Sequence, residues 1–267
     1  MTSVLLVGCG NMGFAMMTGW LSGSDAPTVW VVEPAEALAQ RAADAGANAV
    51  AAAADLPADL SPDLVVLAVK PQMMGAVAPD YARFARDAAF LSVAAGTTIA
   101  ALQASLGPAA IIRCMPNTPA AIGQGMLVCC GNPKVSAAAR ALSTRLLTAS
   151  GKVAWVDDES LMDAVTAISG SGPAYIFHFI ECMTAAAQEL GLPEDLSSQL
   201  AMQTVMGAGA YAAESPTPPD VLRQQVTSPG GTTAAALDVL MADAGLQALL
   251  NRATEAARDR GVELGKL

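Results

Sequence analysis

Two stretches of this chain carry residue types that could do chemistry. One is Gly8-Cys9-Gly10-Asn11-Met12-Gly13 and the other is Thr227-Ser228-Pro229-Gly230-Gly231-Thr232-Thr233. In the second, a proline fixes one φ angle and two glycines let backbone come close to a neighbour. The first free N–H groups of the helical run Ala234–Met241 point back into the same turn. A turn of this kind holds a small carboxylate or phosphate without a charged side chain. A simple helix N-cap would use the same residues, so the turn alone leaves both readings open. Elsewhere the nucleophile and metal chemistries are poorly supplied. The single histidine, His178, lies in the apolar run Ile176-Phe177-His178-Phe179-Ile180 and reads as a core or interface residue. The five cysteines form no C-x-x-C pair, so no metal site is expected. No P-loop and no nucleophile elbow occurs.

The elements around the first stretch give it meaning. Val4–Val7 is a short apolar strand, Phe14–Leu21 an apolar helical run, and Val29–Val32 a second strand ending at Glu33. Strand, G-x-G-x-x-G, helix, strand, acid is the pattern of a dinucleotide site. The glycines make the tight turn, admit the pyrophosphate and let helix pack on strand. Glu33 lies where a carboxylate accepts from an adenosine ribose hydroxyl. The alternation continues. A helix is expected over Ala35–Ala45, and Leu64–Val69 reads as a buried parallel strand running into Lys70-Pro71. Phe90–Ala95 is the next strand, ending at Gly96, and Ile99–Leu106 a short helix. Ala110–Arg113 is followed by a loop, Cys114–Pro119, pinned by two prolines. Gln124–Cys130 and Val153–Val156 read as further strands, with a helix over Pro133–Ser150 between them. Ligands in such sheets bind at the carboxyl ends of strands, which places Lys70 to meet cofactor or substrate.

After residue 156 the strand pattern stops. Glu159–Ile168 is helical, Ser169-Gly170-Ser171-Gly172 breaks it, and Pro173 suits the first turn of a helix running to Leu190. Ser197–Glu214 follows as a helix, Pro216-Thr217-Pro218-Pro219 is a hinge, Val221–Val226 leads into the Thr227–Thr233 turn, and Thr233–Met241 and Gln247–Leu264 close the chain. The expected fold is α/β plus all-α: a Rossmann dinucleotide-binding domain over 1–156 and an all-helical domain over 157–267.

At 53% hydrophobic and 14% charged, the 267 residues can bury a large core, much of it alanine. Alanine-rich helices approach one another closely. The net charge of −10 argues against nucleic acid or an anionic membrane as partner. The odd cysteine count and the lack of a secretory leader or membrane span point to a reducing cytosol and a cytoplasmic protein.

With a dinucleotide loop in place, the acceptor is constrained by what is absent. Oxidation of a hydroxy acid needs a base to take the alcohol proton. Many hydroxyacid dehydrogenases with a helical second domain place a lysine behind a glycine-rich turn. Here no basic residue occurs between Lys152 and Arg223. Hydride addition to an imine needs less proton management, because a protonated imine is already electrophilic.

The chain closely resembles pyrroline-5-carboxylate reductase. The matching motifs are Val7–Gly13, Ala68-Val69-Lys70-Pro71, Ala94-Ala95-Gly96, Arg113–Pro119, Ser169–Tyr175 and Ser228–Thr233, in the family's order along the whole chain. The first is shared with many dehydrogenases, and the last two together are nearly diagnostic. The resemblance implies reduction of 1-pyrroline-5-carboxylate to L-proline by NADPH or NADH, the last step of proline biosynthesis. It implies that the helical domain makes an obligate homodimer or a ring of dimers. The site would combine the cofactor's nicotinamide edge on one subunit with the glycine-rich turn of the other. Residue by residue, Val7, Gly8, Cys9, Gly10, Asn11, Met12 and Gly13 take the pyrophosphate. Ala68, Val69, Lys70, Pro71, Ala94, Ala95 and Gly96 line the nicotinamide half. Glu159 is expected near the cofactor or a subunit contact. Ser228, Gly230, Gly231 and Thr232 hold the substrate carboxylate, and Thr233 is the catalytic candidate, bonded to the ring nitrogen.

One departure bears on the cofactor. The family often offers small polar or basic groups after the second strand. Here Glu33 stands there, with no basic residue until Arg41. A carboxylate repels a 2′-phosphate and accepts from a free 2′-hydroxyl, so NADH is expected to serve at least as well as NADPH. Two rival readings remain at this point: a related two-domain dehydrogenase or imine reductase acting on another small substrate, and a non-catalytic dinucleotide-binding module.

Overall fold

Apolar runs four to six residues long, separated by helical segments, dictate a sheet covered on both faces. The computed structural model, which describes residues 2–265, shows how far that sheet extends. Its strands are β1 (Ser3–Val7), β2 (Thr28–Val32), β3 (Asn48–Val50), β4 (Leu64–Leu67), β5 (Ala89–Ser92), β6 (Ala110–Met115), β7 (Gly125–Gly131) and β8 (Gly151–Val156). They form one eight-stranded sheet in the order β3-β2-β1-β4-β5-β6-β7-β8. The first six run parallel in the doubly wound order. β7 runs antiparallel to β6, and β8 parallel to β7. The helices are α1 (Asn11–Leu21), α2 (Glu36–Asp44), α3 (Met74–Val77), α4 (Ile99–Leu106), α5 (Ala137–Thr148), α6 (Met162–Val165), α7 (Gly172–Glu189), α8 (Glu194–Glu214), α9 (Pro219–Gln225), α10 (Thr232–Leu240) and α11 (Leu246–Leu264).

Alternate strand residues point to opposite faces, so each strand feeds two cores. Leu5, Val7, Val65, Leu67, Phe90 and Ile111 fill one face. Val4, Leu6, Val66, Leu91, Ile112 and Leu127 fill the other, with Met16, Met17 and Trp20 of α1. At about 1.5–3 kcal/mol for each large apolar side chain taken from water, these two layers dominate the stability of the sheet.

The chain divides into two compact units. One comprises Met1–Ser171 with Ala257–Leu267, the other Gly172–Ala256. The sequence pattern placed the change near residue 157, where strands stop; by contacts, 157–171 and the end of α11 go with the sheet. Two further differences have local causes. The expected break at Ser169–Gly172 is instead a π turn over Thr166–Gly170, with the Ser171 N–H donating to Thr166 O at 2.8 Å, and helix resumes at Gly172. Cys114 and Met115, read as loop, continue β6 opposite Cys129 and Val128. Within the second unit α7 packs along α8. Ser197 and Ala201 are the buried residues there, while Phe177, Met202 and Met206 are more than half exposed. Among the described residues no helix is long and apolar enough to cross a membrane.

Candidate active site

β1 ends in a turn that only glycine can make. Gly8 has φ +87°, and a Cβ there would lie 2.9 Å from the Ala68 carbonyl oxygen. A Cβ on Gly13 would press into the Gly8 carbonyl oxygen. α1 then starts with Gly10 as its N-cap, no side chain capping it and no acidic residue in the first turn. Its first amides and the positive end of its dipole are therefore left for an external anion. Backbone cradled this closely, with an uncompensated helix start beside it, fits a pyrophosphate.

Both backbone groups of Cys9 are held. Its N–H donates to Glu33 Oε2 at 2.8 Å, and its carbonyl accepts from Arg41 Nη2 at 2.9 Å. The Arg41 guanidinium lies 4.0 Å over the Phe14 ring. Glu33 Oε1 also accepts from the Ala35 N–H at 3.0 Å. Glu33 is thus 93% withdrawn from solvent, at 7% exposure. Each carboxylate oxygen keeps a lone pair for a ribose hydroxyl. Burial pushes the Cys9 thiol above its ordinary range; Arg41 opposes that and Glu33 adds to it. A thiol so raised stays protonated near neutrality and is no nucleophile.

A cavity of about 400 Å³ opens beside this loop at the carboxyl ends of β1, β2 and β4. It gathers Val7, Gly8, Gly10, Glu33, Ala68, Val69 and Lys70 from the sequence-expected set. Its apolar wall includes Leu38 of α2, and Met73, Val77 and Tyr81, which sequence reasoning missed because 71–84 folds as short 3-10 and α turns without clear periodicity. Burial, and secondarily Asp80, push the Tyr81 phenol up to about 12, so it stays neutral. Lys70 is exposed at the rim. Ala94, Ala95 and Gly96 follow β5, outside this lining. Gly96 stands against the end of α11, where an added Cβ would lie 3.6 Å from Leu264 Cβ. Glu159, expected near cofactor or subunit contact, accepts from the Ile99 N–H at 2.8 Å, at the start of α4. The same oxygen accepts from Arg113 Nη1 at 3.1 Å.

The second unit carries the other stretch. Gly230 has φ +68°, and the Gly231 N–H closes a turn onto Ser228 O at 3.0 Å. Gly231 is the N-cap of α10, without a capping side chain and with no acid in the first turn. Since Gly231 spends its N–H on the turn, the open donors are those of Thr232, Thr233 and Ala234. The Thr227 hydroxyl donates back to Arg223 O at 2.6 Å. Ser228 is exposed and Thr233 half-buried. His178, on α7, is exposed and meets Glu181 Oε2 at 3.0 Å.

Sheet order, glycine turn and terminal acid define a dinucleotide-dependent oxidoreductase with a helical second unit. Residues 3–96 match the family model described as NADP oxidoreductase coenzyme F420-dependent, and residues 159–264 the one described as pyrroline-5-carboxylate reductase dimerisation. A pyrroline-5-carboxylate reductase of Pseudomonas aeruginosa is 41% identical, over 98% of this chain and 97% of that one. The solved pyrroline-5-carboxylate reductase of Coxiella burnetii superposes with a TM-score of 0.93 at 32% identity, over 100% of this chain and 99% of that one. That of Plasmodium falciparum, with NADP bound, gives 0.82 at 27% identity, over 99% and 98%. The chain belongs to the pyrroline-5-carboxylate reductase family.

Proposed function

We infer that this chain reduces the C=N bond of 1-pyrroline-5-carboxylate to give L-proline, as an NAD(P)H-dependent oxidoreductase of proline biosynthesis. The observation that carries this reading is the pairing, in one chain, of the glycine cradle at Gly8–Gly13 with the uncapped, acid-free start of α10. The nicotinamide dinucleotide supplies, when bound, the hydride for the imine carbon. Gly8–Gly13 hold its pyrophosphate, Glu33 the adenosine ribose, and Ala68–Pro71 with Ala94–Gly96 its nicotinamide half. The amides of Thr232 and Thr233, with the hydroxyls of Ser228 and Thr232, hold the substrate carboxylate. The Thr233 hydroxyl lies to the ring nitrogen, which gains a proton as the carbon gains hydride. The assay is oxidation of NADH or NADPH on adding 1-pyrroline-5-carboxylate; a protein that binds the dinucleotide and leaves it reduced is a binding module.

Thr233 orients and polarises without serving as a strong base. A neutral hydrogen bond contributes about 0.5–1.5 kcal/mol, so Thr233→Ala should lower kcat by about tenfold at most. A loss of several orders of magnitude would make Thr233 an acid or base and overturn that role.

NADH serves this chain at least as well as NADPH. Glu33 lines the cavity, the one cation in its lining among the described residues is Lys70 at the far strand end, and Arg41 is turned onto Cys9 O. Glu33→Gln keeps an acceptor for one amide and removes the charge. It should shift the kcat/KM ratio toward NADPH by about tenfold, equivalent to about 1.4 kcal/mol. A strong NADPH preference in the unaltered protein would sink the assignment. The helical unit joins two copies of the chain in a homodimer.

A further inference from the structure

We propose that Arg113 is a positioning residue for the nicotinamide-side loop after β5, acting through Glu159. The proposal rests on the reading that Ala94–Gly96 line the nicotinamide half. Arg113 stands near the end of β6, 5% exposed, one strand away from that loop. A guanidinium taken out of water is tolerated only when its donors are met by acceptors. Here Nη1 meets Glu159 Oε1 at 3.1 Å and Nη2 meets Asp163 Oδ1 at 3.5 Å.

Both partners lie at points that frame the loop. Glu159 Oε1 also accepts from the Ile99 N–H at 2.8 Å, one residue after the Thr98 N-cap of α4. A carboxylate at a helix start suits the dipole there. The loop 93–98 is therefore pinned at one end by β5 and at the other by an anion whose own position Arg113 fixes. Asp163 faces Gly261 of α11, where an added Cβ would lie 3.3 Å from Oδ1. Three residues on, Leu264 packs on Gly96, which has φ +73°. One buried cation thus ties β6, α4, α6 and the end of α11 around Ala94–Gly96. Among the described residues, Arg113 is the cation that pairs with both Glu159 and Asp163.

The test separates the two halves of the cofactor. ADP-ribose carries the adenosine, the pyrophosphate and the second ribose but no nicotinamide ring, whereas NADH also engages the nicotinamide side through that ring. In Arg113→Met the Kd for NADH should rise about tenfold, while that for ADP-ribose stays within about twofold. Glu159→Ala should give the same split, because Arg113 keeps Asp163 while Ile99 loses its acceptor; it carries the test if Arg113→Met does not fold. Arg113→Lys should recover part of the NADH affinity, since one ammonium can meet one carboxylate. Equal loss of both ligands, or no loss of either, overturns the proposal. Ala95→Leu, which adds bulk to the exposed loop itself, tests the reading beneath it. If Ala95→Leu leaves NADH binding intact, the loop does not line the nicotinamide. If Ala95→Leu weakens NADH and Arg113→Met does not, the loop reading stands and the positioning role falls.

Discussion

Gly8→Ala should raise the Kd for NADH about a hundredfold and lower the thermal midpoint at the same time. The residue sits at φ +87°, where a side chain costs about 1–3 kcal/mol. The new methyl would lie 2.9 Å from Ala68 O, a backbone atom that cannot swing aside. Overpacking of this sort adds about 1–3 kcal/mol. Relief requires the Gly8–Gly10 backbone to move, and that backbone is the cradle. A displacement worth about 2.8 kcal/mol in binding is a hundredfold. Gly10→Ala is the informative contrast. Its Cβ would meet nothing within 4 Å in the free protein, so the thermal midpoint should hold while cofactor affinity falls. Isothermal titration with NADH, set beside thermal melts, checks both. A Gly8→Ala protein with unaltered NADH affinity would move the dinucleotide elsewhere.

Replacing Met202 and Met206 by glutamate should leave a monomer with less than about one-hundredth of the activity. Both methionines are more than half exposed on α8, one helical turn apart. The second unit buries Ser197 and Ala201 and little else, so its helices have no core to close upon within one chain. Its apolar surface is far larger than scattered exposed side chains require, and the homodimer proposed above would cover it. Each buried, unpaired carboxylate costs several kcal/mol, enough in pairs to undo a dimer. Sedimentation should show one chain mass, and the melting midpoint should lose its dependence on concentration. A double variant that stays dimeric would place the interface on another helix face.

The long apolar strands and the glycine loop were legible because their signals are local. Leu64–Leu67 is apolar throughout, and Gly8, Gly10 and Gly13 are spaced for the turn they make. β3 was not legible: Asn48-Ala49-Val50 is three residues long and pairs only along β2. β6 ran on past Arg113 because β7 supplies cross-strand partners for Cys114 and Met115, a fact no local pattern carries. The site shows the same division. Gly8, Gly10, Glu33 and Lys70 line one cavity, as their positions at strand ends require, whereas Cys9, Asn11, Met12 and Gly13 lie outside its lining. Arg41, read only as a distant base, comes back 32 residues to the Cys9 carbonyl, and that contact depends on how α2 lies on the sheet. The Gly231 N–H, counted among the carboxylate donors, is taken by its own turn, because the left-handed Gly230 brings it onto Ser228 O.

The grip on Cys9 has a consequence for where the cost of cofactor binding falls. A glycine-rich loop loses more conformational entropy on ordering than any other backbone. Here Glu33 and Arg41 hold the N–H and the carbonyl of Cys9, and so the two peptides that flank it, before any ligand arrives. The ordering is completed during folding, so little of the pyrophosphate's interaction is consumed in freezing the loop. Cofactor affinity then depends on how firmly the end of β2 and the body of α2 are held. Warming that loosens those two elements would weaken the cofactor before the sheet itself gives way.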